Sequence, residues 1–238
     1  MRWTLHGKNA LVTGATKGIG KAIADELAAL GANVLGVARS GADVDADVTV
    51  AADRAAIVAA ARARGPLHVL VHNAGTNVRS PLTGYDDATI ERLIAMNLTS
   101  ALLLSRDLHP LLRDAQGASV IHVGSVAAHV ALPTGVAYAA AKAGLTAAAR
   151  TLALEWARDH IRVNTVAPWY TRTPLAEPVL VQPERLAAII ARTPLGRIAE
   201  PREVAAAVVF LALPAASYIT GHCLTVDGGM SIQGLAAL

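Results

Sequence analysis

The sequence predicts an α/β fold: one doubly wound parallel sheet with helices on both faces. Three observations carry that reading. Short apolar runs alternate with stretches of helical periodicity along the whole chain. Several of the runs end at glycine or proline, as buried strands feeding turns do. No linker or repeat divides the 238 residues, a length that one such domain can fill. A single domain over 1–238 is therefore expected.

The elements follow in order. KNALVTG (8–14) reads as a strand. GIGKAIADELAALG (18–31) places Ile19, Ile23, Leu27 and Leu30 on one helical face and stops at Gly31. NVLGVA (33–38) is a second strand. A helix pattern resumes over 50–65, and LHVLVHNAG (67–75) is a strand entering a glycine turn. Residues 86–113 read as one long helix behind an aspartate cap, and ASVIHVGS (118–125) as a strand. A helix over 137–158 and a strand over 161–167 follow, the latter stopped by Pro168. The polar, proline-dotted stretch 169–200 carries one helix, at QPERLAAIIAR. A helix over 200–213 and a strand over 222–226 close the chain.

Composition narrows the function. Aromatic residues make up 3% of the chain, too few for base-stacking platforms. The net charge of +3 is spread along the sequence without a basic block, so neither nucleic acid nor an anionic membrane surface is an expected partner. The start lacks the apolar core of a signal peptide, and the longest apolar run, 204–216, is too short to span a bilayer. Cys223, the single cysteine, cannot form an internal disulfide, which fits a reducing, cytoplasmic setting. It is expected to be a small buried hydrophobe. No metal site is expected.

Two motifs carry chemistry. TGATKGIG (13–20) lies between the first strand and the first helix. There, Gly14 permits the turn, while Gly18 and Gly20 allow close approach of a pyrophosphate to the helix N-terminus. In GVAYAAAKAGL (135–145), Tyr138 and Lys142 stand one turn apart on one helix face. That pair is either an ordinary surface contact or a proton-transfer device.

The wider pattern resembles the short-chain dehydrogenase/reductase family. The glycine spacing is Gly-x-x-x-Gly-x-Gly, HNAG (72–75) stands where that family has Asn-Asn-Ala-Gly, and Asn97, Ser125 and Tyr138-x-x-x-Lys142 follow in its order. ITG (219–221) and VDGG (226–229) extend the match over nearly the whole chain. WTLHGKNALVTG, HNAGTNVR, LALEWARDHIRVNTVAPWYTRTPLAEPVL and LPAASYITG are similar to the tropinone-reductase group, and Pro168-Trp169 replaces the commoner Pro-Gly.

The resemblance implies a Rossmann-type sheet and a catalytic tetrad of Asn97, Ser125, Tyr138 and Lys142. A free tyrosine has a pKa of about 10, and a neighbouring ammonium should lower it. Lys142 is thus expected to make Tyr138 a general acid in reduction and a general base in oxidation. Ser125 would hold the substrate oxygen, and Asn97 a water linking Lys142 to solvent. The cofactor would lie against Gly14, Thr16, Lys17, Gly18, Ile19, Gly20, Asn73, Ala74, Gly75, Tyr138, Lys142, Pro168, Thr171 and Thr173. His72 is expected to pack below it, outside the chemistry.

At the end of the second strand Ala38 stands where an acid would select NAD, and Arg39 follows. With Lys17, this favours NADP(H), with NAD(H) the alternative. Too few residues lie between Arg39 and Asp47 for a crossover helix, so the third strand (about 43–48) should be brief. Asp47 and Val48 resemble the pair at the family's adenine site. A lid over about 169–200 should cover a pocket walled by Ser125, Val126, Val130, Trp169, Tyr170, Leu175 and Val179, suited to a small hydrophobic ketone or secondary alcohol. His129 faces either substrate or water. Two other functions stay open: an NAD(H)-dependent alcohol or sugar dehydrogenase, and a non-catalytic nucleotide sensor. A homotetramer is expected by resemblance.

Overall fold

The computed structural model describes residues 2–234; Met1 and residues 235–238, the ends of the expected domain, lie outside the described residues. Seven parallel strands form one sheet. They are β1 (Asn9–Thr13), β2 (Asn33–Ala38), β3 (Val44–Asp45), β4 (Val69–His72), β5 (Ser119–Val123), β6 (Arg162–Pro168) and β7 (Cys223–Val226), in the order β3-β2-β1-β4-β5-β6-β7. The order reverses direction between β1 and β4, which opens a crevice at the carboxyl ends of those strands.

Alternating side chains feed two cores, one on each face. Leu11, Leu70, Val120 and Val163 face one side and meet Ile57 of α2 (Ala51–Ala63), Leu104, Leu108 and Leu112 of α4 (Ser100–Asp114), and Ala149 and Ala153 of α5 (Val136–Glu155). Val12, Val71, Ile121 and Val166 face the other side. There they meet Ile23 and Leu27 of α1 (Gly18–Ala29) and Val204, Val208 and Val209 of α8 (Pro201–Ala212). Helices on both faces explain why the middle strands carry buried side chains on both sides of the sheet.

The expected helix over 86–113 is interrupted. It consists of α3 (Asp87–Ile94), a π-helical segment (Ala95–Thr99) and then α4. The Ser100 amide reaches back to the Ala95 carbonyl, and the Ser100 hydroxyl takes the displaced Met96 carbonyl at 2.9 Å. A π segment of this kind leaves no hydrophobic signature in the sequence, since it shifts the register by a single residue.

The edge at β3 is as short as the sequence implied. Only residues 39–43 join β2 to β3, and no helix covers them. The Asp43 carboxylate accepts the Gly36 N–H at 2.7 Å, standing in for a missing strand carbonyl. The stretch 169–200 holds two helices rather than one, α6 (Glu177–Leu180) and α7 (Pro183–Ala191). They enclose a third small core of Ala176, Val179, Leu180, Ile189 and Ile198, flanked by Trp169 and Tyr170.

Candidate active site

The crevice begins at the glycine loop. Gly14 (φ +68°) and Gly18 (φ +55°) adopt backbone that favours glycine. A Cβ on Gly20 would collide with the Gly14 carbonyl and the Asn73 amide. The α1 N-terminus has no side-chain cap, whereas α3 is capped by Asp86 and α8 by a Glu200–Glu203 capping box. The free first-turn amides of α1, set behind these glycines, form a cradle suited to a dinucleotide phosphate. Asn73 buttresses the cradle: its Nδ2 donates to the Thr13 carbonyl at 3.0 Å and to the Gly14 carbonyl at 3.2 Å. The Thr13 hydroxyl accepts the Asn73 and Ala74 amides, each at 3.0 Å.

A cavity of about 240 Å³ runs from this loop to the ends of β5 and β6. It brings together Gly14, Lys17, Gly18, Ile19, Gly20, Asn73, Ala74, Gly75, Asn97, Ser125, Tyr138, Lys142, Pro168, Thr171 and Thr173. Of the pocket residues, Val126, Trp169, Tyr170 and Leu175 line it as well. Val130 and Val179 line an adjoining outer cavity of about 850 Å³, which shares Trp169 and Tyr170 with the first.

Four expected cofactor residues lie outside the cavity wall. Thr16 and Arg39 are exposed beyond its open end. Val48 packs into the core, so its side chain is closed to any ligand. Asp47 accepts the Thr49 amide at 2.9 Å and its hydroxyl at 2.6 Å. Burial raises the Asp47 pKa, but the Thr49 bonds and Arg39 outweigh it and leave the carboxyl below its ordinary value.

Ser125, Tyr138 and Lys142 of the expected tetrad gather at the end of β5, and Asn97 lines the same cavity. Ser125 opens a short 3-10 turn (Val126–Ala128), and its hydroxyl accepts the Ala127 N–H at 3.2 Å while facing the Tyr138 phenol. Lys142 is buried beneath, with Nζ 5.7 Å from the Tyr138 ring centre. Burial lowers its pKa to about 8.

Two expectations change here. The Lys142 ammonium donates to the Val123 carbonyl at 2.9 Å instead of serving the phenol. Burial raises the Tyr138 pKa, and the opposing influences are the Ser125 hydrogen bond and the cation of Arg79. Asn97, in the π segment, is also more committed than expected. Its Nδ2 donates to the Thr76 carbonyl at 2.8 Å and the Leu93 carbonyl at 2.9 Å, and its Oδ1 accepts the Thr76 N–H at 3.2 Å. Its amide protons are thus unavailable to a water, though Oδ1 retains one lone pair. A Cβ placed on Gly75 would lie 2.9 Å from that Oδ1 and 3.6 Å from Lys142 Nζ, so the bare glycine leaves a gap between the two.

The histidines sort themselves. His72 is buried, bonded to the Ser105 hydroxyl at 2.7 Å and stacked on His122 with ring centres 5.0 Å apart. Burial, and after it the other charges nearby, pushes both far down, His122 to about 3. His129 is exposed and faces Cys223, Nε2 to Sγ 3.7 Å, so it does not line the pocket. Cys223 is only half-buried, contrary to expectation, because β7 is an edge strand.

The sequence reading missed Asn77, Arg79, Leu132 and Thr134, all of which line the cavity. Asn77 and Arg79 directly follow the β4 turn, at the carboxyl end of a strand, where open α/β sheets bind ligands. That position was the available signal. Thr134 sits in a loop with no periodic pattern, and nothing in the sequence points to it.

Comparison with known proteins identifies the family. A family model described as enoyl-(acyl carrier protein) reductase matches residues 14–231. A tropinone reductase homolog of Arabidopsis thaliana is 42% identical, over 99% of this chain and 96% of its own. The chain belongs to the short-chain dehydrogenase/reductase family. A tropinone reductase homolog of Datura stramonium is 37% identical over 98% of this chain and 95% of its own. Among solved structures, the aldohexose dehydrogenase of Thermoplasma acidophilum superposes with a TM-score of 0.93 at 30% identity, covering 98% of each chain. A gluconate 5-dehydrogenase of Burkholderia cenocepacia, in complex with NADP and tartrate, does so at 0.92 and 29%, over 97% of this chain and 98% of that one. This member of an oxidoreductase family has a seven-stranded parallel sheet, with Asn97, Ser125, Tyr138 and Lys142 lining one cleft. Among the described residues no helix is long and apolar enough to cross a membrane.

Proposed function

We propose that the protein transfers hydride between NADP(H) and a small, largely apolar ketone or secondary alcohol. The observation that carries this is the convergence of Ser125, Tyr138 and Lys142 with the uncapped glycine loop in one cleft. When bound, the nicotinamide supplies or accepts the hydride.

The chain's own residues do the rest. The phenol of Tyr138 gives its proton to the carbonyl oxygen in reduction and removes the hydroxyl proton in oxidation. The Ser125 hydroxyl donates to the same oxygen as negative charge grows on it. Lys142, anchored on Val123 beneath the phenol, exchanges a proton near neutrality with its pKa near 8. The gap between Lys142 Nζ and Asn97 Oδ1 is the route we assign for its resupply. Trp169, Tyr170, Val126 and Leu175 exclude water above the reacting carbon. Lys17 at the loop and Arg39 beyond it would favour the extra phosphate of NADP.

The test is cofactor consumption over a panel of cyclic and aryl ketones with NADPH and NADH. Turnover should require NADPH, and Tyr138→Phe should bind NADPH yet lose all but about a thousandth of kcat. Substantial turnover by Tyr138→Phe would sink the assignment. A second reading, oxidation of a sugar by NAD(H), is favoured by the likeness to aldohexose dehydrogenase and by Arg39 standing clear of the cavity wall. Preferential turnover of aldoses with NAD would select it. We also propose a homotetramer paired through α4 and α5, where Leu154 is 81% exposed; a monomer at micromolar concentration in solution scattering would contradict this.

A further inference from the structure

Arg79 is a cation without a counter-ion inside the cleft. It lines both the inner and the outer cavity, and no Asp or Glu lines either one among the described residues. Its Nε is buried without a hydrogen-bond partner. The residue is partly buried beside Val130, Leu132 and Trp169, and a cationic side chain drawn out of water is costly unless something anionic joins it.

Thr134 stands with it. It is 9% exposed, lines both cavities, and its hydroxyl also lacks a partner. The two segments are fixed in place rather than loose. Asn77 Nδ2 donates to the Thr134 carbonyl at 3.0 Å, and the Tyr85 hydroxyl donates to the Val78 carbonyl at 2.6 Å. A Cβ on Gly135 would collide with that same Tyr85 hydroxyl, so the second loop is held close against the first. Two unmet polar groups, on preorganised backbone at the substrate end of the cavity, have the form of a binding subsite.

We propose that the substrate is a carboxylate-bearing ketone or secondary alcohol, and that Arg79 with the Thr134 hydroxyl forms the subsite that holds its carboxylate. The inference rests on the carbonyl–alcohol reading of the cleft and narrows its substrate class. The planar guanidinium fork matches a carboxylate bidentately. The carboxylate is a spectator: the hydride and the proton move at the carbonyl, between carbon, oxygen and Tyr138. Arg185 and Arg192, exposed on and just after α7, line the outer cavity and draw an anion inward. The same field disfavours a ketone that carries a protonated amine, as tropinone does.

The test separates binding from turnover. The protein, loaded with whichever of NADP⁺ and NAD⁺ it binds, is titrated calorimetrically with cyclohexanecarboxylate, its neutral carboxamide and cyclohexyl phosphate. The carboxylate should bind at least about tenfold more tightly than the amide, the amount expected of one charge-assisted contact. Arg79→Met should abolish that preference and Arg79→Lys restore part of it, with Thr134→Val as the second variant should Arg79→Met not fold. Equal binding of acid and amide, or a preference that survives both variants, would overturn the proposal. Tighter binding of the phosphate than of the carboxylate would overturn the class named. In turnover, 3-oxocyclohexanecarboxylate should exceed its methyl ester in kcat/KM, and Arg79→Met should bring the ratio near one. An equal fall for both would reduce Arg79 to packing. Acid-selective binding with no turnover of any ketone or alcohol would support the subsite and fail the reaction.

Discussion

Tyr138 and Arg39 show what a single side chain's surroundings decide. Tyr138 reads as a phenol acidified by the lysine one turn away. In the fold that lysine is bound to a strand carbonyl, burial pushes the phenol up, and a neighbouring serine and the Arg79 cation offset only part of that rise. The identity of the acid–base residue was legible because a Tyr-x-x-x-Lys spacing on a helix fixes a shared face. The source of its tuning was not, because Arg79 approaches from a different strand end, and periodicity does not encode such contacts. Arg39 was legible as the residue after β2 and remains exposed there. If it meets the 2′-phosphate, Arg39→Gln should raise the Kd for NADPH by about tenfold or more and leave NADH nearly unchanged. Equal weakening of both, measured by fluorescence titration, would argue against that role.

At the scale of elements, helix and strand boundaries followed apolar periodicity closely: β2 was expected and is found at Asn33–Ala38. The departures have local causes. The π segment that carries Asn97 is hidden in a pattern that reads as one unbroken helix. α6 is a single turn, too short for a period to register. The glycine loop was legible, and the structure adds why its last glycine is obligatory. Gly20→Ala would drive a methyl group into the Gly14 carbonyl and the Asn73 amide. It should destabilise the fold by about 1–3 kcal/mol and weaken cofactor binding along with it. An unchanged urea midpoint with unchanged cofactor affinity would contradict this account of the cradle.

For the whole molecule, two facts matter: what is sealed beneath the site and what is separate above it. His72 and His122 are buried uncharged under the cleft. In the unfolded chain each takes up a proton as pH falls through about 6.5, whereas His122 in the fold does so only near 3. Between those values the unfolded state holds more protons, so stability must fall as pH falls, by about 1.4 kcal/mol per pH unit for His122, and His72, also held well below its ordinary value, acts in the same direction. Urea midpoints from pH 7 to 4 should decline, and His122→Leu should flatten the slope; a slope unchanged by that variant would remove the histidine from the account. Above the site, the segment from Trp169 to Ile198 closes on its own small core, shared with neither face of the sheet. Side-chain changes within that small core should leave the two cores that hold the strands together intact. An ancestral enzyme with this arrangement could exchange the part of the segment beyond Pro174, past the threonines that line the inner cavity, and acquire a new diet of substrates while keeping its scaffold and its hydride chemistry, so divergence among relatives should be concentrated in that cassette.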